Sequence, residues 1–228
     1  MNHQLAALAA ANITLVGGHF VLSHPLRALL VGLLGEKLFL ALYSLIQIAV
    51  FGWIIMAFRA VGPGGQTLWN GQSTTTWAIA SVLTLLSLVL LVGSFKGNPA
   101  LPATNPGAIA IARPNGVFAV TRHPMMWGVA LWALAHVLVA PNARTIITAT
   151  SMAILALLGS YLQDRKKEVL LGQDWNGWES RTNFAPRWRR IGEAGFATWT
   201  VAIVAWLILT WAHIPLASIP AGIWLWIG

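Results

Sequence analysis

KLFLALYSLIQIAVFGWIIMAFR, residues 37–59, carries no charged side chain between its terminal Lys37 and Arg59. Wound as a helix at 1.5 Å per residue, such a stretch is about 34 Å long, enough to cross the roughly 30 Å hydrocarbon core of a bilayer. Five more windows of the same character lie near 6–26, 75–95, 124–141, 144–162 and 196–214. Together they predict an all-α, polytopic transmembrane bundle of about six spans, forming one membrane domain over residues 1–228. The first window contains Gly17, Gly18 and Pro25, so it reads either as one kinked helix or as a span followed by a short interfacial turn.

Composition points the same way. Of 228 residues 57% are hydrophobic and only 9% charged, too little polar surface for a water-soluble globule of this size. The net charge of +8 does not indicate nucleic acid, because half of the 14 Lys and Arg fall in one inter-span loop. Membrane topology accounts for them: loops after spans one, three and five hold twelve, and those after spans two and four hold only Arg59 and Arg144. Lys and Arg concentrate on the cytoplasmic side. The odd-numbered loops are therefore expected in the cytoplasm, both termini opposite, and the segment after span five as an interfacial helix and loop. No Lys or Arg precedes Arg27, so the N-terminus lacks the charged region of a secretory signal and reads as a first span. The Trp-rich GIWLWIG at 222–228 reads as an interfacial anchor.

The chain has no Cys, which removes thiolate ligands, thioether-linked haem and disulfides, and leaves six His as the metal-binding candidates. His136 stands 13 residues into the fourth window, roughly 20 Å from its start. An ionisable residue at that depth is a functional candidate. His19 lies about 12 Å above Arg27 on the first span, beside Gly17 and Gly18, which leave room for a flat ligand. His213 is about 25 Å up the last span. Two imidazoles on different membrane helices suit axial ligation of a b-type haem, with His19 and His136 as the expected pair and His213 as the substitute. Arg27, Arg113 and Arg122 are the cations available to haem propionates.

In TRHPMMWG, residues 121–128, Pro124 suits the first turn of a helix. Arg122 and His123 then sit at its mouth, where an anion is favoured. His24 and His213 lie nearer the interfaces, and His3 is expected in solvent. The run 163–190 mixes acids and bases; Asp164 and Glu168 in it suit a cationic or sulfonium group, or else the segment forms a basic patch against anionic lipid.

Several of these motifs appear in the order of a known family. HFVLSHPLRALLVGLLGEKLFLALYSL from His19, TLW at 67–69 and TRHPMMWGVALWALAH from Thr121 resemble the NnrU family of bacterial membrane proteins, associated with denitrification and nitric oxide metabolism. That family is similar in turn to zeta-carotene isomerase, a haem b membrane enzyme that turns the central cis double bond of a linear polyene. The resemblance implies haem ligands at His19, ahead of Arg27 and Glu36, and at His136, and hence a hydrophobic small-molecule substrate beside the lipids of a bacterial inner membrane. Two departures are visible: the His19 to Arg27 spacing is one residue longer than the isomerase pattern, and the Cys three residues before the second His is Ala133 here. The RHP helix with a later acidic stretch also resembles the isoprenylcysteine and phospholipid methyltransferase superfamily. That likeness implies S-adenosylmethionine at Arg122, His123 and Glu168, with Arg187 nearby, although a second Glu of the pair is not evident. A third expectation, a non-catalytic assembly factor for a reductase, requires neither ligand.

Overall fold

The computed structural model describes residues 3–63, 65–99, 109 and 111–227 of the chain. Part of the third inter-span loop, 100–108 and 110, lies outside the described residues. The described secondary structure is helical: α1 (His3–Ser23), α2 (Arg27–Leu34), α3 (Glu36–Val61), α4 (Thr74–Gly93), α5 (Pro124–Val139), α6 (Ala143–Leu171), α7 (Gln173–Arg181), α8 (Phe196–Ala217) and α9 (Trp224–Ile227), with 3₁₀ turns η1 (Gly116–Ala119) and η2 (Trp188–Ala194). Five of them, α1, α3, α4, α6 and α8, are long and apolar enough to cross a membrane. The fourth expected span is the shorter 16-residue α5, because Pro124 opens it and its last helical residue, Val139, stands two before Pro141. Of the two readings of the first window, the span followed by a turn is the one found: α1 ends at Ser23 and α2 begins at Arg27.

The bilayer as solvent explains the surface. Leu45, Ile48 and Met56 on α3 are 63%, 69% and 68% exposed, where a soluble protein of this size would bury them. Internal contacts divide the chain into two compact units, one of residues 1–70 and 140–155, the other of 71–139 and 156–228.

In the first unit, α1 packs on α3 through Leu8, Ala11 and Leu15 against Ile54 and Ala57. Asn142 caps α6, accepting from the Thr145 N–H at 3.1 Å. The loop before it is tied by the Leu68 N–H to the Pro141 carbonyl at 3.0 Å.

The second unit is centred on α4, which packs against α5 and α8. Ser73 caps α4 by accepting from the Thr76 N–H at 3.1 Å. At Gly128 a Cβ would stand 2.8 Å from the Ser87 carbonyl oxygen of α4, so only glycine permits this approach of the two helices. The Ser87 hydroxyl, which donates to the Gly128 carbonyl at 2.7 Å, closes the seam. Val89, Leu90, Val117, Phe118, Leu131, Trp175 and Trp178 form the core. An interfacial helix and loop were expected after span five, and the short α7 and the segment after it stand there, but the charged run at 163–168 does not begin that helix. Instead α6 runs on to Leu171 and breaks at Gly172 (φ +52°), a left-handed position that favours glycine.

Candidate functional site

Two polar sites lie on α5, one at its start and one near its end. At the start, Arg122 and His123 are positioned by a strap from the segment after α7. The Arg122 N–H donates to the Asn183 carbonyl at 2.8 Å and the Arg187 N–H to the Val120 carbonyl at 2.8 Å. The Thr121 hydroxyl and the Trp127 indole both donate to the Phe184 carbonyl, at 2.6 and 2.8 Å.

So held, the Arg122 guanidinium donates to Asp164 of α6, from Nε at 2.8 Å, and to Glu179 of α7, from Nη2 at 2.6 Å. His123 Nε2 donates to the other Asp164 oxygen at 2.8 Å. Asp164 is 1% exposed, His123 3% and Arg122 8%. At the rim Arg165 pairs with Glu168 at 2.5 Å. Burial raises the Glu179 carboxyl above its ordinary range; Arg122 opposes this and the neighbouring Glu168 adds to it. The carboxylates of Asp164 and Glu179 thus already face cations within the cluster. Arg187, singled out in the sequence, donates to Asn183 Oδ1 at 2.5 Å.

Near the other end of α5, His136 meets His213 of α8. Their ring centroids are 6.3 Å apart with the planes 37° from parallel, and the Trp132 ring lies 4.4 Å from that of His136. Each Nδ1 reaches a carbonyl one turn back on its own helix: His136 to Trp132 at 2.8 Å and His213 to Leu209 at 2.7 Å. A carbonyl only accepts, so each Nδ1 carries the hydrogen and each Nε2 keeps its lone pair, the arrangement a metal-ligating imidazole requires. The two rings are thus neighbours on different helices, each with an Nε2 that its own helix does not use. Among the described residues no group of three or more His, Cys, Asp or Glu is arranged to hold a metal. Two nitrogens are too few for a metal centre built from protein alone.

His19 lies in the first unit. The Tyr43 hydroxyl is 2.7 Å from its Nδ1 and 3.2 Å from its Nε2. A Cβ at Gly17 or Gly18 would meet nothing within 4 Å, and Gly17 lies on the exposed surface of α1. Arg27 pairs with Glu36 at 3.1 Å and lies over the Phe39 ring. His24 accepts or donates at 2.8 Å with Ser23 Oγ. Arg113 belongs to the second unit and lines a cavity with Lys96.

The structure therefore brings together His136 with His213, and Arg122 with His123 and Asp164. It sets His19 beside Tyr43 and Arg27 beside Glu36. Two participants escaped the sequence reading. Glu179 is one, eleven residues after Glu168; its signal was the spacing of Trp175, Trp178 and Glu179 on one short amphipathic helix. Tyr43 is the other, a phenol hydroxyl in a largely apolar run, and a polar tip at membrane depth is itself a cue for a partner.

A family model described as NnrU protein matches residues 7–221. Curated relatives include the chloroplastic 15-cis-zeta-carotene isomerase of Arabidopsis thaliana, 27% identical over 161 residues, which is 68% of this chain and 42% of that protein. The Zea mays protein of the same name is 24% identical over 160 residues, again 68% of this chain and 42% of the relative. The chain thus aligns with less than half the length of each. No solved structure matches it.

Proposed function

The chain belongs to the NnrU family, and from that premise we propose that it is a membrane isomerase acting on a hydrophobic polyene, with haem b bound through His136. The observation that carries the cofactor reading is the His136–His213 pair, two neighbouring imidazoles whose Nε2 lone pairs would be available to the haem iron. The name of the plant relatives supports the reaction class. When bound, haem supplies an iron able to weaken a double bond as a Lewis acid or electron donor.

The chain's own residues do the rest. The Trp132 and Leu209 carbonyls hold the two imidazoles in the tautomer whose Nε2 would be free to ligate. Trp132 packs against the His136 ring and limits its rotation. The same stretch of α5 is apolar, with Leu131, Ala133 and Ala135 buried in the protein and Trp132 and Leu134 exposed. A single polar pair in such surroundings suits a substrate with no polar group at its reacting centre.

The family resemblance implies His19 as the second axial ligand, whereas ring geometry favours His213. Optical spectra of the detergent-purified chain, before and after dithionite, test both the cofactor and this choice. The expected result is a Soret band and a bis-His ferrous spectrum that His136→Ala abolishes. Loss of the six-coordinate form in His213→Ala, with His19→Ala unchanged, assigns the second ligand to α8; the reverse pattern assigns it to α1. A colourless protein without iron overturns the haem reading, and unchanged isomer composition of a supplied cis polyene overturns the isomerase reading.

The methyltransferase alternative requires carboxylates open to a sulfonium group. In the cluster at the start of α5, Asp164 is held by Arg122 and His123, and Glu179 by Arg122, so the geometry gives that alternative no support.

A further inference from the structure

Where α4 ends and α8 begins, the second unit contains a cavity of about 670 Å³, within the range of roughly 300–1,000 Å³ for sites that bind small molecules. Its wall has two chemical halves. Ile109, Val117 and Phe118 supply an apolar side, and Lys96 and Arg113 a cationic one. Neither cation has a carboxylate partner among the described residues. The acids next in sequence to the lining residues Ala194 and Trp178 are committed elsewhere: Glu193 takes both Arg190 hydrogen bonds, at 2.6 and 2.8 Å, and Glu179 takes Arg122.

Two further groups of donors share this wall. Residues 195–198 open the 22-residue α8, and the Gly195 cap provides no side-chain acceptor for its first N–H groups. Those amides are the positive end of the helix dipole. Trp178, only 2% exposed, also lines the cavity, and its buried indole N–H has no acceptor. A buried donor without a partner is uncommon and calls for one. Cations, helix amides and an indole N–H are all donors, and what they have in common is an anion with several oxygens.

We propose that this cavity binds the phosphate of an anionic lipid from the surrounding bilayer. The apolar half of the wall and the mouth decide for a lipid over a free phosphate ion. Phe196, the first residue of a membrane-crossing helix, is 89% exposed at that mouth, and the ends of α4 and α8 are where headgroups lie. The phosphate sits between Lys96, Arg113 and the start of α8 while the glycerol and acyl portion leaves past Phe196. This site is independent of the histidine pair and does not depend on haem.

Native mass spectrometry of the full chain in neutral detergent tests it, with phosphatidylglycerol and phosphatidylcholine of identical acyl chains added in separate arms and inorganic phosphate in a third. Phosphatidylglycerol should be retained at least roughly tenfold more tightly than phosphatidylcholine, and inorganic phosphate should bind more weakly than phosphatidylglycerol. The Lys96→Gln/Arg113→Gln double variant should lose that preference. Ala197→Trp, which keeps both charges and fills the space, should lose it too, while Arg189→Gln, an exposed cation outside the cavity, should keep it. Circular dichroism confirms that each variant folds. Equal retention of the two lipids overturns the proposal. So does full preference in Ala197→Trp, which would mean attraction to a charged surface and no pocket. Tighter binding of inorganic phosphate than of lipid overturns the lipid assignment.

Discussion

The two ends of α5 treat polar groups in opposite ways. At Arg122 and His123 charges are buried, and the guanidinium Nε and Nη2 and the imidazole Nε2 all donate to carboxylates of α6 or α7. At His136 and His213 each ring has one nitrogen tied to its own helix and one left open. The first arrangement holds elements together, because a paired ion cluster is specific and costly to break. The second leaves binding capacity unused, which folding alone does not require. The contrast separates a structural polar site from a functional one by where the hydrogen bonds go.

Four measurements probe that contrast. Asp164→Ala strands Arg122 and His123 without their shared acceptor, and it should cost about 3–5 kcal/mol of stability, read as a lower thermal midpoint in detergent. Replacing Arg122 and Asp164 together by apolar residues should recover part of that loss. His213→Leu removes only one hydrogen bond to its own helix and should cost about 1 kcal/mol or less. If it destabilises as much as Asp164→Ala, the pair near the end of α5 is structural and the contrast collapses. Tyr43→Phe tests the third polar pair: loss of its hydrogen bond with His19 should lower stability by about 1 kcal/mol, seen as a small shift of the midpoint.

The smallest effect concerns pH. The folded Glu179 carboxyl binds its proton more tightly than that of the unfolded chain, because burial raises it above the ordinary value of 4.5. The folded state then holds more protons between the ordinary and the raised value, so stability falls as pH rises through that window. Glu179→Gln should flatten this slope in a series of midpoints against pH. An unchanged slope would mean that Arg122 dominates the environment of Glu179.

Much of the fold was legible in the sequence, because hydrophobic length alone identifies helices that must satisfy their backbone without water. The boundaries were harder. The charges from Asp164 to Glu168 suggested a break near the membrane surface, yet Arg165 and Glu168 pair one turn apart, and that sustains a helix until Gly172 ends it. The shortness of α5 was written in Pro124 and Pro141, but the apolar window between them hides it. The candidate site was only half legible. Depth picked out His136, but not which imidazole faces it, since that depends on the rotation of α8 and on its packing with α4. Arg122 looked free for an anion because its partners lie 42 and 57 residues further along the chain, a separation that local pattern does not span.

The C-terminal tail has a practical bearing on any attempt to trim or tag this chain. Gly222 approaches α8 so closely that a Cβ there would lie 2.9 Å from the Trp206 ring. Two residues later the Trp224 indole donates to the Leu207 carbonyl at 3.2 Å and to the Thr210 hydroxyl at 3.1 Å, one turn before His213. Cutting at Ser218 would spare every long helix yet remove the brace that fixes how α8 is turned. An engineer wanting the imidazole of α8 to stay aimed should leave the last ten residues alone and work from the other terminus.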